Sequence, residues 1–242
     1  MDLRAGYAGQ PAIEGLSGTV APGSLTAIVG ANGAGKTTLL RTMVGLLKPL
    51  SGQVELGGLG PGSIAYLPQH AEIDRSFPVS VGDVVMLGHW PRAGAFGALG
   101  RAARRAAEQG LAEVGLETLW RRPIGALSQG QFQRVMVARI LVQDCPVILL
   151  DEPFAAVDAR TTADLLAIVA RWHREGRTIV AALHDLEQVR AHFPETLLLA
   201  RSCIAWGRTA RVLTQENLLR AWGVPAGWVT GADARASVAP AA

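Results

Sequence analysis

The sequence predicts an α/β protein built on a mostly parallel, covered sheet. Short apolar runs at Leu25–Val29, Ser63–Pro68, Pro146–Asp151, Thr178–Leu183 and Thr196–Arg201 have the length of buried strands rather than helices. Segments of helical spacing separate them, the clearest being residues 161–175 with Leu165, Leu166, Ile168, Val169 and Trp172 on one face. A glycine-rich stretch, Gly30–Gly35, joins the first of these runs to a helical one. Strands alternating with helices favour a parallel sheet covered on both faces.

Taken in order, residues 1–20 read as two strands joined by the turn Gly6-Tyr7-Ala8-Gly9-Gln10-Pro11, an antiparallel portion near the N-terminus. After the helix that begins near Thr38, residues 52–56 (Gly-Gln-Val-Glu-Leu) read as a further strand closed by the turn 57–62. From about 70 to 144 the chain becomes rich in Ala and Arg with no strand-like run, which predicts an inserted α-helical subdomain; Arg101–Val114 is its clearest helix. Strand signals return at 145, so the core is expected over about 1–69 and 145–223 of a single domain, 1–223. Residues 224–242 are small and weakly patterned and read as a flexible tail. No internal repeat is visible.

A chain of 242 residues with 49% hydrophobic residues can bury a sizeable core. No apolar run reaches the roughly 18 residues that span a bilayer, and no secretory leader opens the chain, so a soluble intracellular product is expected. Cys145 and Cys203 lack metal-ligand spacing. The net charge is +3, carried almost wholly by arginine. The basic clusters Arg101–Arg105 and Arg121–Arg122 have no interleaved aromatics, so no nucleic-acid partner is expected.

Gly30-Ala31-Asn32-Gly33-Ala34-Gly35-Lys36-Thr37-Thr38 fits G-x-x-x-x-G-K-[ST], between a strand and a helix as the phosphate-binding loop requires. Its glycines allow sharp turns that aim backbone N–H groups at an anion, and the helix N-terminus adds partial positive charge. Lys36 would reach the β- and γ-phosphates and the Thr37 hydroxyl would help hold Mg²⁺. A nucleoside triphosphate ligand follows. Val147–Leu150 leads into Asp151-Glu152, a strand ending in two carboxylates. Asp151 suits a water-mediated Mg²⁺ contact beside Thr37, and Glu152 the general base that polarises an attacking water.

Leu127-Ser128-Gln129-Gly130-Gln131, about twenty residues before that acidic pair, resembles the L-S-G-G-Q signature of ATP-binding-cassette (ABC) ATPases, with Gln129 in place of the first glycine. Phe132–Arg139 is similar to the helix that follows the signature in that family. The resemblance covers residues 2–223 and implies a P-loop NTPase (RecA-like) core. It also implies that Gln69 contacts Mg²⁺ and the lytic water, Asp158 in the D-loop crosses a dimer interface, His184 touches the γ-phosphate, and Tyr7 stacks on adenine. Ser128, Gln129, Gly130 and Gln131 would close over ATP held by a second copy of the chain. The implied activity is ATP hydrolysis, with ATP and Mg²⁺, in a head-to-tail homodimer on separate integral membrane permease subunits. Residues 70–105, with His89-Trp90-Pro91 and Ala95-Phe96, would receive the permease.

Longer stretches, Pro78–Val85, Asp151–Asp158, His184–Val189 and Leu197–Gly207, are similar to the cassettes of zinc/manganese importers. That narrower resemblance implies metal import from the cytoplasmic face of the inner membrane, fed by an extracytoplasmic metal-binding protein. Iron-siderophore and cobalamin importer cassettes share much of the pattern, and a non-transport ABC ATPase is the remaining alternative. A phosphate-loop kinase or GTPase is disfavoured, since no guanine-reading N-K-x-D motif is present.

Overall fold

The computed structural model describes residues 2–60, 62–69, 75–93 and 99–223. The expected tail at 224–242, His70 and the Ala95-Phe96 pair lie outside the described residues. In chain order the elements are β1 (Leu3–Tyr7), β2 (Gln10–Leu16), β3 (Leu25–Val29), α1 (Lys36–Met43), β4 (Ile64–Leu67), α2 (Val81–Met86), α3 (Trp90–Ala93), α4 (Arg101–Glu113) and α5 (Gln129–Gln143). They continue with β5 (Val147–Asp151), α6 (Ala159–Arg174), β6 (Thr178–Leu183), α7 (Leu186–His192), β7 (Glu195–Ala200), β8 (Ser202–Arg208), α8 (Thr209–Val212) and α9 (Gln215–Trp222).

The main sheet runs β4-β5-β6-β3-β7-β8, with β4 to β7 parallel and β8 antiparallel at the edge. A two-stranded antiparallel sheet, β1-β2, forms the N-terminal portion. Because successive strand residues point to opposite faces, the apolar runs supply two cores. On one face Ile28, Leu149, Val180 and Leu197 pack with Leu39 and Leu40 of α1 and with Leu3, Ala5, Ile13 and Leu16 of the small sheet. On the other, Ala27, Val29, Ile148, Leu150 and Ile179 pack with Val135, Met136, Ile140, Leu165 and Trp172 of α5 and α6. The covered, mostly parallel sheet is the expected one, and the described part of 70–144 holds helices and no strand.

One expectation about elements is corrected. Residues 53–56 form no strand: the chain touches β1 at a single bridge, Arg4 to Ser51, then leaves it at Gly52, whose φ is 75°. Gln53 and Glu55 lie exposed and bond each other at 2.7 Å instead of a neighbouring strand. Beyond the expected strand at Thr196–Arg201, a further strand, β8, pairs with β7 through a tight reversal at Arg201, φ 61°.

Candidate active site

The parallel strands all end at one edge, where open α/β sheets bind ligands. The glycine-rich loop leaves β3, Gln69 follows β4, Asp151-Glu152 closes β5 and His184 follows β6. Register sets their height: Asp151 and Ile28 both lie level with Ala182, and the Glu152 amide donates to the Ala182 carbonyl at 3.1 Å.

Packing dictates the loop's glycines. A Cβ on Gly30 would stand 2.2 Å from the Leu199 carbonyl oxygen. Gly35 has φ 98°, and a Cβ there would stand 2.8 Å from the Ala12 carbonyl oxygen. The helix α1 takes no side-chain cap and carries no acid in its first turn, so its leading N–H groups are presented for an anion. Ala34 anchors the loop's far side by accepting from the Arg201 amide at 3.1 Å. Lys36 is buried and folds back, its Nζ donating to Gly30 O at 2.9 Å and Ala31 O at 3.3 Å. Burial lowers its pKa, while the charges of Glu152 and Asp151 pull the other way.

Asp151 is 1% exposed. Its Oδ2 accepts from the Tyr66 hydroxyl at 3.3 Å, and its Oδ1 is buried without a hydrogen-bond partner among the described residues. Burial raises its pKa, opposed by the neighbouring Thr37 and Tyr66 hydroxyls. A buried, unpartnered carboxylate oxygen beside a hydroxyl is a hard oxygen donor set, which fits Mg²⁺. Gln69 Nε2 donates to Glu152 Oε2 at 2.7 Å, so two residues far apart in sequence meet at the sheet's edge. Glu152 is held at φ 48°, a strained value for a non-glycine residue. Glu152, Leu183, the exposed His184, Asp185 and Gln188 line one shallow recess.

Tyr7, 48% exposed, ends β1, and its hydroxyl accepts from Arg41 Nη1 on α1 at 3.4 Å. Arg41 and Tyr66 belong to no sequence motif, and only the fold brings them to the site. The Tyr66 hydroxyl is pushed up to about 12, by burial first and the Asp151 charge second. Its contact with Asp151 depends on β4 pairing with β5, a register that single-sequence patterns do not carry.

Ser128 caps α5: its Oγ accepts from the Gln131 amide at 3.2 Å, and the Gln131 Oε1 accepts from the Ser128 amide at 3.1 Å. Gly130 packs against the start of α6, where a Cβ would meet Thr161 Oγ1 at 3.2 Å and Asp158 Oδ2 at 3.7 Å. Asp158 caps α6 by accepting from the Thr161 amide and hydroxyl, both at 2.9 Å. These bonds, the amide's first, hold its carboxyl below the usual carboxylate range. The structure does not gather Ser128–Gln131 with the glycine-rich loop: α1 lies with the core on one sheet face and α5 with the core on the other.

A strand–loop–helix phosphate cradle after β3, with two acids at the end of β5 on the far side of β6, defines a nucleotide-hydrolysing cassette. Residues 13–155 match the ABC transporter family, and the chain belongs to it. The manganese transport system ATP-binding protein MntB of Listeria monocytogenes is 38% identical over 225 residues, covering 91% of this chain and 94% of that protein. The zinc transport system ATP-binding protein TroB of Treponema pallidum is 37% identical over 227 residues, covering 92% and 85%. A solved metal-chelate type ABC transporter in an inward-facing conformation superposes with a TM-score of 0.81 at 29% identity, over 93% of this chain and 89% of that one. The fold is that of an ABC ATPase, and the chain is an ATPase of this family.

Proposed function

We propose that this cassette powers import of manganese or zinc through a separate membrane permease. The cargo reading is carried by the manganese and zinc systems among its relatives, which align along nearly its whole length. The chain reads as one cassette, 1–223, with a core of about 1–69 and 145–223 and a helical subdomain of about 70–144; the division of helices and strands supports it. Among the described residues, no helix is long and apolar enough to cross a membrane. In this reading a permease holds the cassette at the cytoplasmic face, and an extracytoplasmic metal-binding protein delivers the ion.

In this reading the loop Gly30–Thr38 wraps the phosphates and Lys36 leaves the Gly30 and Ala31 carbonyls for the β- and γ-phosphates. Tyr7 stacks on adenine. Thr37, Asp151 and Gln69 would hold Mg²⁺, which neutralises phosphate charge when bound. Glu152 takes a proton from the attacking water, Gln69 orients Glu152 through their 2.7 Å contact, and His184 approaches the γ-phosphate from the same recess. Ser128 and Gly130, on the opposite layer, close over nucleotide held by a second copy, with Asp158 beside that junction. The separation of the half-sites onto two sheet faces supports a head-to-tail dimer, because one chain cannot bring them together.

The test is cellular uptake of labelled manganese, zinc and a ferric chelate by cells carrying the native chain or Glu152→Gln. Loss of manganese or zinc uptake alone is expected. Loss of the chelate alone would move the cargo to the second reading, which the likeness to a metal-chelate transporter favours. No loss in any arm would overturn both.

A further inference from the structure

Gln129 adds a side chain to the first turn of α5, where the ATP-site reading needs an open phosphate face. Arg75 accounts for where that side chain goes. Arg75 Nη1 donates to Gln129 Oε1 at 3.3 Å, Nη2 donates to the Leu127 carbonyl, and the guanidinium lies 4.9 Å from the centroid of the Phe132 ring. These three contacts fall on the residue before the cap, the first helical residue and the fourth. The Arg75 backbone also runs close to Gly125, where an added Cβ would stand 2.7 Å from the Arg75 carbonyl oxygen. Gly130, by contrast, faces Thr161 and Asp158 at the start of α6. The turn is thus gripped by Arg75 on one side and by α6 on the other.

Helix stability does not explain this cation. The N-terminus of a helix is the positive end of its dipole, and a cation there is unfavourable by itself. The helix is already capped by Ser128 and Gln131. What the guanidinium supplies is a planar fork that bonds a backbone carbonyl and a side-chain amide together.

We propose that Arg75 is a positioning residue for the trans phosphate site: it ties the Gln129 amide toward its own segment and so keeps the Ser128–Gly130 face open to ATP. This rests on reading the start of α5 as half of an ATP site. The extra side chain in the signature is therefore compatible with activity because a second residue restrains it.

The experiment uses the full chain in the Glu152→Gln background and follows ATP-driven dimerisation by light scattering as Mg-ATP is titrated. Four proteins are compared: the parent, Arg75→Met, Gln129→Gly and the double variant. Methionine keeps the apolar contact with Phe132 while removing the fork. Arg75→Met is expected to raise the ATP concentration at half-dimerisation about tenfold, the scale of a lost charge-assisted hydrogen bond. In the double variant most of that increase is expected to disappear, since no side chain remains to restrain. A merely structural role would lower Tm without this recovery. If Arg75→Met does not fold, Arg75→Lys, which keeps the charge but lacks the fork, takes its place in the cycle. An equal increase in both backgrounds, or none, would overturn the positioning role alone. A parent that stays monomeric at saturating ATP would overturn the half-site reading and the proposal with it.

Discussion

At the level of single residues, backbone geometry and buried oxygens decide what the site can hold. Gly35 combines φ 98° with a Cβ position 2.8 Å from Ala12 O. Alanine there meets both a left-handed strain of about 1 kcal/mol and a backbone clash. Gly35→Ala is predicted to weaken binding of a fluorescent ATP analogue by at least about tenfold, since a cradle displaced by a fraction of an ångström loses several N–H contacts together. Unaltered affinity would show that the loop is not the cradle. Tyr66→Phe is a milder test. Removing its hydroxyl leaves Asp151 Oδ2 without its 3.3 Å donor, and a lost partner behind a metal ligand typically costs about tenfold in metal affinity. The free Mg²⁺ needed for half-maximal ATPase is predicted to rise by about that factor at saturating ATP, with a modest fall in Tm because a buried carboxylate oxygen loses its donor.

At the level of elements, caps set where helices begin and which faces they present. Asp158 starts α6 and sits beside Gly130 at the start of α5. Its folded pKa is depressed by Thr161, so its contribution to stability is present above the unfolded carboxylate value, about 3.9, and is lost as pH falls through the lower folded value. Asp158→Ala is therefore predicted to lower Tm at pH 7, with the gap to the native chain closing as pH falls below about 4. Thermal melts across that range check it, and a gap that widens on acidification would contradict it. The glycine-rich loop, the acidic strand end and the Leu127–Gln131 run before α5 were legible because each is a contiguous stretch of sequence. Gln69–Glu152, Tyr66–Asp151 and Arg75–Gln129 were not, because each joins residues that only strand register or packing brings together. Arg75 and Gln129 stand 54 positions apart. Residues 53–56 show the opposite failure: their alternation suits a strand, yet only Ser51 reaches a neighbouring edge.

At the level of the whole molecule, the sheet has both faces covered and uses them differently. The face with α1 and the small sheet carries the helix that follows the glycine-rich loop, while the face with α5 and α6 carries Ser128–Gly130 and Asp158 at the starts of those helices. The head-to-tail dimer proposed above would bring the two half-sites of different molecules onto one nucleotide. The direct measurement is sedimentation velocity of the full chain carrying Glu152→Gln, with and without Mg-ATP, beside the same chain with Ser128→Arg added. The account predicts monomer without nucleotide, dimer with Mg-ATP, and monomer again when Ser128→Arg fills the phosphate face with a bulky side chain. Monomer at saturating Mg-ATP, or a dimer indifferent to Ser128→Arg, would contradict it.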